Sequence, residues 1–191
     1  MRIRLVQGDI TKQDVDVVVT AANTPLRGGG GVDGAVHRAA GPELLKACRA
    51  LAPCPPGSAV ITPAFELKPA RWVVHAVGPV YRGPEDEKTL ASAYVAALDL
   101  AEEVGARSIA FPSISTGVYG YPLEDAAYVS ASALWRQKHR SLEVAWLVAF
   151  NRKTYDAWNE ALMDHLLADR LDEEVEEDSF TQHVPRDGDV V

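Results

Sequence analysis

Four consecutive glycines, Gly28-Gly29-Gly30-Gly31, lie between an amide, Asn23, and a carboxylate, Asp33. Glycines give a core nothing to pack and cost backbone entropy, so the run has no packing role. It lets backbone N–H groups approach another molecule closely. The stretch from Thr20 to Gly34 follows a strand-like segment and opens into a helix-like one. A helix start favours phosphate-like anions through its dipole and free N–H groups. The bland alternative is a flexible surface loop. No Gly-Lys-Ser/Thr follows, so this is not a Walker loop, and the glycines lack the usual setting of the G-x-G-x-x-G fingerprint.

A second loop has the same character. Ser113-Ile114-Ser115-Thr116-Gly117-Val118-Tyr119-Gly120-Tyr121-Pro122 follows the strand-like Ser108 to Pro112 and leads into a helix-like segment. Ligands of open α/β sheets bind outside the carboxyl ends of the strands. Two such loops suit a ligand with two phosphates, or a phosphate and a sugar. Gly8-Asp9-Ile10-Thr11 directly follows the first strand-like segment. A carboxylate there can accept from an exocyclic amino group such as adenine N6; a turn or cap role for Asp9 and Thr11 is the alternative.

These residues need strands and helices to hold them. Ile3–Gln7, Asp16–Thr20, Ser58–Thr62, Arg71–Val77, Ser108–Pro112 and Glu143–Phe150 read as strands. Leu90, Tyr94, Ala97, Leu98 and Ala101 recur at helical spacing. A second stripe runs through Leu123, Ala126, Ala127, Ser130, Ala133 and Leu134, with Pro122 in its first turn, and a third through Tyr155, Trp158, Leu162 and Leu166. Gly34–Ala40 and Pro42–Leu51 read as two short helices. The alternation predicts a layered α/β domain, sheet inside and helices on both faces. Trp72, Trp135, Trp146 and Trp158 fall in regular elements and read as packing. His75, in an apolar strand, reads as a hydrogen-bonded core histidine, and His37 as a packing or capping residue.

Composition limits the classes of function. The chain has 191 residues, 47% hydrophobic and 24% charged, which suits one globular domain. The longest apolar run, Val144 to Phe150, is far short of the ~20 residues a membrane span needs. Met1 to Gln7 holds no apolar stretch of signal-peptide length. Cys48 and Cys54 alone build neither a disulfide scaffold nor a metal motif, and a reducing cytoplasm is the expected compartment. His37, His75 and Asp33 have no metal-site spacing. The net charge is −8, of which residues 169–191, with nine acids and two bases, carry −7. Such a run is expected to be a solvated, disordered tail, with an interaction or self-masking segment as the alternative. The composition speaks against a dedicated duplex-DNA binder.

Taken in order, Gly8-Asp9-Ile10-Thr11, Ala21-Ala22-Asn23, the run from Gly28 to Pro42, Val74-His75-Ala76-Val77-Gly78-Pro79 and the run from Phe111 to Pro122 closely resemble the macro domains, specifically the MacroD-type ADP-ribosyl hydrolases. The resemblance covers roughly residues 2–167 and leaves out the acidic segment. It places a macro domain at 1–168 and the tail at 169–191. It implies a three-layer α/β/α sandwich around a mixed six-stranded sheet. It also implies a metal-independent hydrolase without cofactor. Asp9 would accept from adenine N6, with Ile10 beside it. Ser115, Thr116, Gly117, Val118 and Tyr119 would wrap the diphosphate, Tyr119 closing over the distal ribose. Gly29, Gly30, Gly31 and Val32 would line the other side. Asn23 would contact the distal ribose, and Asp33 would activate water or orient the ribose. Phe150 would pack on adenine, with Asn151 beside it.

Three departures stand out. Thr20 replaces the usual Asn, which predicts a missing supporting hydrogen bond. Pro25 and Arg27 replace small or apolar residues, stiffening the loop and adding a cation. Ser113 stands where close relatives often carry Cys. The expected partners are ADP-ribose, its O-acyl derivatives and ADP-ribosylated proteins, with no membrane. The expected reaction is ester hydrolysis at the distal ribose, of O-acetyl-ADP-ribose or of ADP-ribose on acidic side chains. A like-charged diphosphate beside Asp33 would raise its pKa and suit it as a base. A non-catalytic ADP-ribose reader and an ADP-ribose 1″-phosphate phosphatase are the alternatives.

Overall fold

The short β-branched segments pair into a single sheet. The computed structural model describes residues 1–135, 137 and 139–181, with side chains as far as Asp169. Its strands are β1 (Arg2–Gln7), β2 (Val17–Ala21), β3 (Ser58–Pro63), β4 (Trp72–Val77), β5 (Ser108–Phe111) and β6 (Val144–Ala149). They lie in the order β1-β6-β5-β2-β4-β3. Every pairing is parallel except β3 with β4. The expected mixed six-stranded sheet is thus found, and β3 is its one antiparallel member.

Alternation along the central strands feeds two cores. Val17 and Val19, Val74 and Ala76, Ile109 and Phe111, Leu147 and Ala149 face one side. Val18, Val73 and Val77, Ala110 and Val148 face the other. A strand buried on both faces reads as a continuous apolar run, as these do. The helices α1 (Gly31–Ala40) and α2 (Pro42–Leu51) cover the second side with Val36, Ala40, Leu44 and Cys48. The first side takes α3 (Glu87–Glu103), α4 (Leu123–Trp135) and α5 (Arg152–Thr181). The α3 stripe of Leu90, Tyr94, Ala97, Leu98 and Ala101 is wholly buried. Each fully buried leucine or phenylalanine there contributes about 1.5–3 kcal/mol.

Strand ends shift by a residue or two, and the helices differ more from expectation. The helix read as Gly34–Ala40 begins at Gly31, because Gly30 is extended and Gly34 already donates to the Gly30 carbonyl at 3.2 Å. Pro122 stands just ahead of α4, its carbonyl accepting from Ala126 at 2.9 Å. In α5, Trp158 is fully buried, but Leu166 is 44% exposed, so the predicted stripe leaves the core in its last turns. The α5 backbone runs on to Thr181, into the segment read as a disordered tail; residues 182–191 lie outside the described residues.

Parallel strands bring their carboxyl ends to one edge. The segments after β1, β2, β4, β5 and β6 therefore meet there, at Gly8–Ile10, Ala22–Gly30, Gly78, Pro112–Tyr119 and Phe150–Asn151. Tyr94 of α3 fixes one of them: its hydroxyl donates to the Pro112 carbonyl at 3.1 Å and accepts from the Ile114 N–H at 3.0 Å.

Candidate functional site

The loops at that edge enclose a cleft of about 890 Å³. All fifteen residues singled out from the sequence line it: Asp9, Ile10, Asn23, Gly29, Gly30, Gly31, Val32, Asp33, Ser115, Thr116, Gly117, Val118, Tyr119, Phe150 and Asn151. Their environments differ sharply. Val118 is fully exposed and Phe150 is 82% exposed at the mouth, whereas Asp33 is 4% exposed at the floor.

The Asn23–Asp33 pair is built by the β2–α1 connection. Asn23 Nδ2 donates to the Gly28 carbonyl at 2.7 Å, and its Oδ1 accepts from the Arg27 N–H at 3.1 Å. The amide thus folds its own loop back and sets the glycine run in place. Asp33 lies in the first turn of α1, where a carboxylate is favoured by the dipole. Thr20 Oγ1, at the end of β2, donates to Asp33 Oδ1 at 3.0 Å. Thr20, which lacks the amide of the usual Asn, thus supports the Asp33 carboxylate with its hydroxyl. His37 Nε2, one turn on, is 3.7 Å from the same oxygen. Asp33 Oδ2 and Asn23 Nδ2 converge instead on Gly29: they lie 3.6 and 3.7 Å from where a Cβ of that residue would stand.

Electrostatically, burial pushes the Asp33 carboxyl above its ordinary value, while His37 and the Thr20 hydroxyl favour its charged form. The cause is the floor of the cleft, with no ligand needed. Behind it sits a second buried group. His75 is fully buried and burial holds its pKa down to about 3, His37 adding to the effect. Its Nε2 lies 3.1 Å from Thr62 Oγ1 and 3.5 Å from Cys48 Sγ. His75 is thus a hydrogen-bonded core histidine, as read from the sequence, whereas His37 faces a carboxylate besides packing. His37, Cys48 and His75 bring donor atoms within 4.8 Å of one another, a grouping hidden in the linear spacing. Burial and the Asp33 charge push the Cys48 thiol up to about 11.

The second loop offers backbone donors. Among the described residues, no carbonyl accepts from the N–H groups of Ser115, Thr116, Gly117, Val118 or Tyr119. Ser115 holds a positive φ of 67°, and its buried hydroxyl has no partner among the described residues. An unpaired buried hydroxyl costs free energy unless something completes it. The first turn of α1 leaves further N–H groups free on the opposite wall. Asp9 caps the short 3₁₀ turn Ile10–Lys12, its Oδ1 accepting from the Thr11 N–H at 2.9 Å and the Thr11 hydroxyl at 2.7 Å. Asn151 Oδ1 accepts from the Thr154 N–H at 2.9 Å and so caps the start of α5.

Sequence reasoning missed several wall residues. Arg38 and Lys153 line the cleft as exposed cations, beside Gly78, Val148 and Thr154. A signal existed: Arg38 lies seven residues beyond Gly31 on α1, and Lys153 follows the carboxyl end of β6. Gly78 is required for close packing, since a Cβ there would fall 2.6 Å from Ile114 Cγ2 and collide with Ser115 Oγ.

Known proteins resemble the chain in sequence and in fold. An O-acetyl-ADP-ribose deacetylase of Escherichia fergusonii is 49% identical over 180 residues, spanning 90% of this chain and 98% of that protein. A macro domain-containing protein of Xanthomonas campestris pv. campestris is 51% identical over 172 residues, spanning 85% and 96%. Among solved structures, the Oceanobacillus iheyensis macrodomain with ADP superposes with a TM-score of 0.81 at 41% identity, covering 86% of this chain and 91% of that one. The Trypanosoma brucei macrodomain in complex with ADP-ribose gives 0.77 at 39% identity, covering 84% and 68%. Residues 19–130 match the Macro domain sequence profile, more than half of the chain, and the chain belongs to that family.

Proposed function

We propose that the cleft binds ADP-ribose and that the protein hydrolyses esters at the distal ribose. The substrates would be O-acetyl-ADP-ribose and ADP-ribose ester-linked to aspartate or glutamate of a protein. One observation carries this reading: Asp33 Oδ2 and Asn23 Nδ2 converge at Gly29, at the end of a cleft walled by unpaired N–H groups. Those donors suit a diphosphate, and the free Asp9 oxygen suits an amino group of adenine. Arg38 and Lys153 add positive charge where the anion would lie. The name of the Escherichia fergusonii relative and the ligands of the two structural neighbours agree with it.

In the hydrolysis, a water oxygen attacks the ester carbonyl carbon, the bond to the ribose oxygen breaks, and that oxygen takes a proton. Asp33 would accept the proton of the water, or fix the ribose while a substrate phosphate accepts it. A raised pKa makes a carboxylate a better base near neutral pH, so the rate should climb with pH through that raised value. Asn23 would hold the ribose hydroxyls with the amide that its loop has fixed. On this reading neither residue would hold the adenine end.

Single-turnover hydrolysis of O-acetyl-ADP-ribose and of an ester-linked ADP-ribosyl protein tests this. Asp33→Ala and Asn23→Ala should lower the rate by about 10²–10⁴. Their effect on ADP-ribose affinity should stay near one lost hydrogen bond, about 1 kcal/mol. Tight ADP-ribose binding with no release at high protein concentration would instead identify a reader. Release of phosphate from ADP-ribose 1″-phosphate with both esters untouched would identify a phosphatase.

A further inference from the structure

The β2–α1 loop has two sides. Asn23, Gly29 and Gly30 face the cleft, while Pro25 and Arg27 face a separate surface groove of about 680 Å³. The groove is completed by Leu45, Arg49, Ala52 and Pro53, from α2 and the residues after it. Its walls are apolar, and its polar chemistry comes from two guanidinium groups. Arg27 and Arg49 are exposed, and among the described residues neither lies within salt-bridge distance of a carboxylate. The local charge agrees: residues 21–52 hold four bases (Arg27, Arg38, Lys46, Arg49) and two acids (Asp33, Glu43), in a chain of net charge −8. Asn23 ties groove to cleft, since its Oδ1 accepts from the Arg27 N–H at 3.1 Å.

From this geometry we infer that the Arg27–Arg49 groove binds the polypeptide part of an ADP-ribosylated substrate and selects acidic sequence beside the modified residue. The inference rests on the reading of the cleft given above. A ligand whose distal ribose reaches Asn23 places whatever is esterified to it at the rim that the loop forms. A free acetyl group ends there, but a polypeptide continues outward, and the next surface along this loop is the groove. Two unpaired guanidinium groups favour carboxylates, which they can hold by paired N–H donors. Pro25, Leu45, Ala52 and Pro53 supply apolar contact for the chain between them. A nucleic acid or an ADP-ribose polymer would fit less well, because none of the six lining residues is an aromatic platform for a base.

Two synthetic peptides test the inference, each carrying ADP-ribose through an amide in place of the ester, so that binding is read without cleavage. One has aspartate and glutamate beside the modified position and the other serine. By calorimetry at low salt, the full chain should bind the acidic peptide roughly three- to tenfold more tightly than the serine peptide, as two exposed ion pairs allow. Higher salt should narrow the gap. The double variant Arg27→Ala with Arg49→Ala should abolish the gap while binding free ADP-ribose as the parent does, and Arg27→Lys with Arg49→Lys should keep part of it. Equal affinity of the parent for both peptides overturns the inference, as does a double variant that loses free ADP-ribose and both peptides to the same extent. It is overturned too if the double variant loses affinity for an ADP-ribose oligomer and not for the acidic peptide. Failure of the parent to bind free ADP-ribose removes the reading of the cleft itself, a result distinct from the other three.

Discussion

The Asp9 carboxylate has two oxygens, and among the described residues only Oδ1 has a partner. Oδ1 takes both hydrogen bonds from Thr11, so the cap role and the ligand role read from the sequence are compatible in one side chain. Replacing Asp9 by Asn separates them. The Asn oxygen can still accept from Thr11, but its NH₂ then faces an adenine amino group, donor against donor. Asp9→Asn should therefore melt near the parent temperature and bind ADP-ribose about tenfold or more weakly, since a hydrogen bond to a carboxylate is worth about 1.5–3 kcal/mol. Unchanged ADP-ribose affinity, measured by calorimetry, would remove Asp9 from the adenine site. Spacing in the chain exposed Asp9, Asn23 and Asp33, because each follows a strand or a glycine run. Thr20 was legible only as a departure, since no pattern in the sequence shows that a hydroxyl at the end of β2 reaches the Asp33 carboxylate.

The elements around the cleft depend on where α1 starts. Its start at Gly31 brings Asp33 into the first turn and packs Gly34 against the glycine run, so that a Cβ on Gly34 would collide with the Gly29 carbonyl oxygen. At Gly30 a Cβ would meet nothing within 4 Å, and the backbone there has an ordinary extended φ of −89°. Two alanine substitutions should thus separate packing from ligand access. Gly34→Ala should lower stability by about 1–3 kcal/mol through overpacking. Gly30→Ala should leave stability within about 0.5 kcal/mol of the parent and weaken ADP-ribose binding, because its methyl would stand in the cleft. Denaturant titration and calorimetry on both variants check this, and an equal loss of stability in the two would contradict the packing account. The sequence carried the strand–loop–helix order but put the helix three residues late. Glycines read as loop by propensity, and Gly31 makes the turn into α1 with a left-handed φ of 56° that glycine adopts freely, while the helical hydrogen bonding opens with the Gly34 N–H on the Gly30 carbonyl.

At the scale of the whole molecule, alternation and apolar runs made the three layers legible, whereas Arg38, Lys153 and the grouping behind Asp33 were not, because residues distant in sequence meet only through the sheet. Thr62 and His75 meet diagonally across the antiparallel β3–β4 pair, where Val60 stands opposite His75, and Cys48 reaches His75 from α2. That buried grouping ties the stability of the fold to pH. His75 is held neutral, its pKa lowered to about 3 from an ordinary 6.5, by burial first and by His37 second. The groups facing it are Cys48, Thr62 and His37, with the Asp33 carboxylate beyond His37. Below pH 6.5 the unfolded chain binds a proton at this residue and the folded chain does not. The His75 contribution is therefore fully present above pH 6.5 and is lost as the pH falls from there towards 3, by up to about 1.4 kcal/mol per pH unit. Asp33 acts in the opposite sense. Its raised pKa leaves the folded protein holding a proton that the unfolded chain has released, so acidification through that range adds stability and offsets part of the loss. Denaturant unfolding at a series of pH values should show stability declining from pH 6.5 downward in the parent. His75→Gln, which can still pair with Thr62, should be less stable at pH 7.5 yet lose one proton's worth of that slope. Parallel stability curves for parent and variant over pH 4–7 would mean that His75 titrates alike in the folded and unfolded chain, and that the buried grouping does not set the acid limit of the fold.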